Sequence, residues 1–249
     1  MTAAPERAAH AVLLAALGTV SDPDRIAEQL RTALDPVRTE DRHDATVAVL
    51  RAARPATAEW LRAHGLPGAD ATASVADVDR KLARYGLDGT GLGWFCAVLS
   101  GRVVQIGRLQ YELGDRTASG DPAWGVHVPE TGPLDPAACD RSFAAAPDLL
   151  RALSPAHSAK RWRCRSWLLD PGLPEVLGAG SNTVRFARRF HLDPPGPDDA
   201  TEGDASVVKF VLRPGAGPGA GRLVDAVRER LASGGHWTAR TGTAPVAVG

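Results

Sequence analysis

The chain has 249 residues, of which 44% are hydrophobic and 23% charged, and its 29 basic and 29 acidic side chains give a formal net charge of zero. This composition is typical of a globular protein with a buried core, and the zero net charge argues against nucleic acid or an anionic membrane as a partner. No apolar run reaches the ~20 residues that span a bilayer. Three widely spaced cysteines predict reduced thiols and a cytoplasmic protein, and the excess of arginine over lysine indicates a bacterial source.

The first third of the chain has a helical pattern. From Pro5 to about Leu87, apolar residues recur at steps of three and four, which predicts four or five short helices. The segments Ser21–Asp24 and Ser74–Asp77 are typical of helix starts, and Gly65–Gly68 interrupts the pattern. These features predict a helical N-terminal domain over residues 1–88.

The pattern changes near residues 86–92, where β-branched and aromatic residues become frequent. We predict a hairpin first, with Ser100–Arg102 as its turn. Its two strands and the later ones are expected at 94–99, 103–113, 124–129, 161–169, 189–192, 207–212 and 236–241.

Helices are expected between these strands. Asp135 and Pro136 are a favourable N-cap and first residue for a helix that runs to about Leu153. Asp193–Asp204 is expected to be a loop, and Gly215–Gly221 is expected to be a linker. The other predicted helices are 174–177, 183–188 and 222–232. The predicted class is α+β, with a second domain over residues 89–249.

Several segments of the sequence resemble those of a known protein family. They are Ile106–Glu112, Val126–Pro129, Gly132–Leu134 with Cys139, Asp140, Ser142 and Phe143, then Ser166–Leu169, Ser181–Asn182 and Gly235–Trp237. Together with the order of the predicted strands, these segments resemble the GCN5-related N-acetyltransferase (GNAT) fold. More narrowly, the chain resembles bacterial acyltransferase-domain proteins that join an N-acyltransferase N-terminal helical domain to a GNAT-like C-terminal domain.

The resemblance implies a mixed β-sheet flanked by helices and an acyl-CoA or acetyl-CoA co-substrate, with no metal. Two neighbouring strands, 124–129 and 161–169, would splay apart to admit the thioester arm. The residues implied to bind CoA are Val128, Pro129, Thr131, Gly132 and Leu134. The loop over Pro129–Asp135 departs from the GNAT pattern, because its prolines lack N–H donors and its acids oppose a diphosphate. We therefore expect CoA binding to be weakened, altered, displaced or absent.

Four residues are candidates for the chemistry. His127 has a side chain suited to accepting the proton of an attacking amine, and Glu112 stands where GNAT enzymes often place a carboxylate base. Cys164 and Ser166 lie two apart on one strand and would face the same side, where either could protonate the leaving thiolate. Each also has a structural interpretation, in packing, sheet hydrogen bonding or a salt bridge.

Other polar residues point to no further site. Arg108, Arg163 and Arg165 could pair with carboxylates or phosphate, and Ser181–Asn182 is typical of a helix N-cap. No Cys-x₂-Cys or His-Glu-x₂-His spacing supports a metal site.

Three functions are weighed on these grounds. The first is an acyl-CoA-dependent N-acyltransferase acting on a small-molecule amine, in bacterial specialised metabolism. The second is a non-catalytic GNAT-like ligand-binding or scaffold protein. The third is a cysteine-dependent hydrolase in which Cys139, near a helix start, acts with His127.

Overall fold

A computed structural model describes residues 4–213 and 221–247 of the chain. The chain forms two compact units. The first unit is built from the residues up to Gly114 together with Ser142–Ser158, and the second from Asp115–Arg141 together with the residues from Ala159 onward. Each unit has its own buried apolar cluster. The predicted division at residue 88 stays a prediction.

Four helices form the beginning of the first unit, as the apolar periodicity predicts, although two of them are longer than expected. They are α1 (Ala4–Ala15), α2 (Pro23–Leu34), α3 (Arg42–Ala63) and α4 (Gly68–Thr90). The predicted cap of α2 is confirmed, since the Asp22 carboxylate accepts a hydrogen bond from the Asp24 N–H at 3.0 Å. The predicted cap at Ser74 is wrong. Ser74 lies inside α4, where it is buried and its hydroxyl donates to the Asp70 carbonyl.

The predicted strand over residues 94–99 is also wrong, because this segment belongs to helix α5 (Leu92–Leu99). The segment is buried on almost every side in the core of the first unit, so it shows no alternation that would separate a helix from a strand. The hairpin is instead formed by β1 (Val103–Ile106) and β2 (Leu109–Arg116). Its turn contains Gly107, whose φ of 58° favours glycine.

The remaining strands are β3 (Pro122–His127), β4 (Arg161–Ser166), β5 (His191–Leu192) and β6 (Arg240–Pro245). The sheet has the strand order β1-β2-β3-β4-β6-β5. Strands β3 and β4 are parallel and are connected through helix α6, while β6 is antiparallel to β4 and β5. This mixed sheet with flanking helices confirms the predicted α+β class.

Apart from the helix at Asp199–Val207, the helices after the hairpin match the predictions closely. The predicted Asp135 cap of α6 is present, since its carboxylate accepts a hydrogen bond from the Ala138 N–H at 2.8 Å. Ser181 likewise caps α8 through the Val184 N–H. The helices are α6 (Pro136–Leu153), α7 (Leu173–Leu177), α8 (Asn182–Ala187), α9 (Asp199–Val207) and α10 (Arg222–Ala232).

Four further predictions are wrong at the carboxyl-terminal side. The strand β4 ends at Ser166, and residues 167–169 form a 3₁₀ helix. Residues 207–212 are helical, since α9 continues into a π-helical turn at Val208–Leu212, and α9 occupies part of the expected loop. The last strand begins four residues later than predicted, because its register depends on pairing with β4. The expected glycine linker at 215–221 lies almost wholly outside the described residues.

No helix in the described part of the chain is both long and apolar enough to cross a membrane. The three cysteines are buried and form no disulfide bond.

Candidate active site

The two parallel strands of the second unit are paired over only part of their described length. Backbone pairs join Trp124 to Trp162 and Gly125 to Arg163, whereas β4 continues to Ser166 and β3 to His127. On its other edge, β4 is paired with β6 at all six of its residues. This uneven pairing marks the carboxyl-terminal halves of β3 and β4 as the place where the two strands part.

The register decides which candidate residues share a face of the sheet. Because side chains alternate along a strand and paired residues point to the same side, Gly125 and His127 share a face with Arg163 and Arg165. Trp124, Val126, Trp162 and Cys164 lie on the opposite face, where the two indole rings pack 5.3 Å apart. The structure therefore places His127 and Cys164 on opposite faces of the sheet.

His127 is the last residue of β3 and is half-buried. It lies beyond the last pair that joins β3 to β4, so its strand position borders the parting of the strands. Val128, which follows, is half-buried and retains a backbone N–H, whereas Pro129 is buried and has none.

Cys164 and Ser166 occupy alternate positions of β4, as predicted, but their surroundings differ. Burial raises the pKa of the Cys164 thiol from its ordinary value of 9.0 to about 12. Such a thiol stays protonated at neutral pH and is a weak acid. The Ser166 hydroxyl accepts a hydrogen bond from the Leu168 N–H at 3.1 Å, which caps the 3₁₀ helix after β4. Its hydroxyl proton remains available to a further acceptor.

Glu112 belongs to the first unit and lies on β2. Its carboxylate accepts a hydrogen bond from Arg102 Nε at 3.0 Å, and both side chains are mostly buried. The structure therefore contains the salt bridge that is the structural interpretation of Glu112. Glu112 and His127 belong to different units.

The loop between β3 and α6 contains the residues implied to bind CoA. Thr131 and Gly132 are exposed and Leu134 is buried. The Thr131 N–H donates to the Pro129 carbonyl at 2.9 Å, and Gly132 has a φ of 120°. Because the Asp135 carboxylate caps the Ala138 N–H, one helix N–H is already satisfied within the chain.

One basic residue beside the N-terminus of α6 was not predicted from the sequence as a site residue. Arg189, which follows α8, donates hydrogen bonds to the Asp140 carboxylate at 2.6 Å and to the Pro136 carbonyl at 3.2 Å. Its positive charge adds to the favourable potential that a helix N-terminus offers an anion. The one sequence signal is the local run of arginines at 185, 188 and 189.

Two arginines of β4, which the sequence left as candidate partners of carboxylates or phosphate, pair with carboxylates. Arg163 Nη1 lies 3.1 Å from both Asp115 oxygens, and Arg165 contacts Asp199 and Glu202. Metal binding gains no support in the described part of the chain, where no cluster of three or more metal-ligating side chains is found.

The comparisons with known proteins agree with this geometry. The family model of the GNAT-like C-terminal domain matches residues 103–244, and no curated protein matches the chain. An acyltransferase solved in complex with decanoyl-CoA and teicoplanin is similar, with a TM-score of 0.79 and 29% identity over 96% of this chain and 76% of that chain. An acyltransferase mutant in complex with octanoyl-CoA, and an acyltransferase in complex with CoA and 10C-teicoplanin, share 28% identity with the same coverage and TM-score. The chain therefore belongs to the GNAT-like C-terminal domain family and is an acyltransferase of that class.

Proposed function

We propose that the protein transfers the acyl group of an acyl-CoA to an amino group of a small molecule. The observation that carries this proposal is the uneven pairing of β4, which is complete toward β6 and stops at Arg163 toward β3. Backbone N–H and C=O groups that do not pair with each other across two neighbouring strands are suited to binding the amide-rich pantetheine arm. The thioester would then lie near the carboxyl ends of β3 and β4.

The ligands bound to the similar acyltransferases support a proposal for the acyl donor and for the acceptor of this protein. They were solved with octanoyl-CoA, decanoyl-CoA and CoA, which favours a medium-length acyl-CoA over acetyl-CoA as the donor of this protein. Two of them also contain teicoplanin or 10C-teicoplanin. A small molecule with an amino group is therefore the acceptor class that we propose.

The proposed reaction forms an N–C bond and breaks the C–S bond of the thioester. The amine nitrogen attacks the thioester carbonyl carbon, and His127 accepts the proton that the amine releases. The backbone N–H of Val128, the next residue, would face the carbonyl oxygen while negative charge develops there. CoA leaves as a thiolate and takes a proton, for which the half-buried Ser166 hydroxyl is more accessible than the buried Cys164 thiol.

The start of α6, with Arg189 beside it, is the proposed position of the CoA diphosphate. A helix N-terminus and a guanidinium both favour a phosphate group. The Asp135 cap and the Asp140 carboxylate oppose it. We therefore expect CoA to be held mainly through its pantetheine and acyl parts.

Burial disfavours the cysteine-dependent alternative. Cys139 is fully buried, so an exposed nucleophile is not present at that position. The raised pKa of Cys164 keeps its thiol in the unreactive form.

Mass spectrometry of acyl transfer tests the proposal. The protein would be incubated with acetyl-, octanoyl- and decanoyl-CoA and with a panel of small amines that includes teicoplanin. We expect an acylated amine and free CoA in equal amounts, with the longer donors preferred. A melting temperature unchanged by saturating CoA esters, together with no transfer, would contradict the proposal.

A further inference from the structure

Two arginines on one face of β4 are held in opposite directions. Arg163 forms its ion pair with Asp115, near the end of β2, so the contact passes over β3 at Gly125, which has no side chain. Arg165 lies two residues later on the same face, and among the described residues it contacts no acid on the β2 side. Its partners are Asp199 and Glu202 on α9 and Thr241 on β6.

The contacts of the two arginines change sides at the position where β3–β4 pairing ends. Arg163 is in the last residue pair that joins these strands, and Arg165 lies beyond it. The ion pair between Arg163 and Asp115 therefore stabilises the part of β3 and β4 in which the two strands are paired. The contacts of Arg165 stabilise β4 toward α9 and β6, on the side away from β3.

The Arg165 contacts form a dense and mostly buried network. Arg165 Nε donates to Glu202 at 2.7 Å, and Nη1 donates to Asp199 and to the Thr241 hydroxyl, each at 3.1 Å. Asp199 is only 4% exposed, and its second oxygen lies 3.1 Å from Arg240 Nε and accepts the Gly196 N–H. Arg240 is paired with Ser166 in the β4–β6 register, so the network anchors the last two residues of β4.

The guanidinium of Arg165 keeps its charge. The hydrogen bond that Arg165 donates to Glu202 raises the pKa of Arg165 above its ordinary value, so the guanidinium stays charged. The network resists rearrangement, because breaking the contact between Arg165 and Asp199 would leave this buried carboxylate with less compensating charge.

We propose that Arg165 is a positioning residue that keeps the carboxyl-terminal halves of β3 and β4 apart and so keeps the acyl-CoA slot open. Neighbouring strands gain backbone hydrogen bonds when they pair, so a contact that holds β4 toward α9 and β6 opposes closure of the empty slot. This inference rests on the proposed function, since it assigns to that slot the binding of acyl-CoA.

The test compares wild-type protein with Arg165→Gln, Arg165→Lys and Glu202→Gln. Arg228→Gln is the matched control, because Arg228 is an exposed arginine of the second unit with one distant acidic partner at 3.9 Å. We expect Arg165→Gln to raise the KM for acyl-CoA about tenfold with a kcat within about twofold of wild type. Lysine carries the charge without the planar fork, so Arg165→Lys is expected to recover part of the loss.

Hydrogen exchange of the ligand-free proteins provides a second readout. If Arg165→Gln lets the strands close, the amides of residues 126–128 exchange more slowly than in wild type, whereas a merely structural loss would make them exchange faster. Glu202→Gln removes a half-exposed partner and is expected to slow exchange to a smaller extent, which covers the case in which Arg165→Gln does not fold.

The outcomes separate this inference from the proposed function. Wild-type protein that fails to bind any acyl-CoA overturns the proposed function, and the exchange measurement still tests the role of Arg165. Wild-type protein that binds acyl-CoA, with an unchanged KM in Arg165→Gln or with unchanged or faster exchange at 126–128, overturns the inference alone.

Discussion

Arg102 and Glu112 are joined by a charged hydrogen bond of 3.0 Å at the base of the β1–β2 hairpin, with side chains only 14% and 21% exposed. Arg102 also donates to the Ser21 carbonyl at 3.1 Å, so it connects the hairpin to the segment before α2. A carboxylate in this position has a structural role in the first unit that is independent of any part in proton transfer.

Replacement of Glu112 separates these two roles. We expect Glu112→Gln to lower the free energy of unfolding by about 1–2 kcal/mol, because the half-buried guanidinium of Arg102 loses its charged partner. Urea unfolding measures this loss, and Glu59→Gln, at an exposed position of α3, is the control. A variant with wild-type stability and a reduced kcat would instead identify Glu112 as a base.

His127 is the residue on which the proposed proton transfer depends. Replacing it with alanine is expected to lower kcat by on the order of 10²–10⁴, because the amine loses its proton acceptor. Transfer to teicoplanin or to a better amine from the panel, followed by mass spectrometry, gives the rate. The melting temperature should change little, since His127 is a half-buried residue at a strand end. Equal rates in His127→Ala and wild type would show that the site is assigned incorrectly.

The buried cysteines predict a loss of stability in alkali. Burial raises the pKa of both Cys96 and Cys164 from 9.0 to about 12. In the unfolded chain these thiols ionise near 9.0, so above that pH the unfolded state binds fewer protons than the folded state and is favoured. The thiols therefore make their full contribution to the free energy of unfolding below pH 9. This contribution falls as the pH rises toward 12, by up to ~1.4 kcal/mol per pH unit for each thiol.

Urea unfolding below pH 9 and about one pH unit above it measures this effect. The double variant Cys96→Ala and Cys164→Ala should lose less stability over the same interval than wild type does. Parallel pH dependences in the two proteins would show that the thiols ionise equally in the folded and unfolded states.

Gly203 permits a close backbone contact in the second unit. A Cβ at this position would lie 2.2 Å from the Trp237 carbonyl oxygen and 2.5 Å from Thr238 Cα, and neither backbone atom can move easily. We expect Gly203→Ala to destabilise the protein by about 1–3 kcal/mol or more. Gly180→Ala is the control, because a Cβ there meets no atom within 4 Å. Similar melting temperatures for the two variants would contradict the contact between α9 and the segment before β6.

Local signals explain which parts of the fold could be predicted. The helix α6 begins at the proline of an Asp–Pro pair and α10 has a regular amphipathic pattern, and both were predicted with nearly the observed bounds. The cap of α6 and the apolar face of α10 are set by residues within four positions of each other. The family resemblance likewise depends on contiguous phrases of sequence.

The failed predictions share a different cause. Residues 94–99 form an apolar run that fits a buried helix or a buried strand equally well, and packing against α2, α3 and α4 decides for the helix. Residues 207–212 are rich in valine and favour a strand by propensity, but they continue α9 into the core of the second unit.

The sequence alone determined the α+β class, the order of most elements and the presence of His127 next to a strand end, because these depend on local patterning and short motifs. Tertiary contacts determine where β3 and β4 part, that His127 and Cys164 face opposite sides, and that Arg163 and Arg165 pair in opposite directions. The physical reason is distance along the chain. The partners of these two arginines are 34 to 76 residues away, and the register that brings them together is chosen by the packing of the whole sheet.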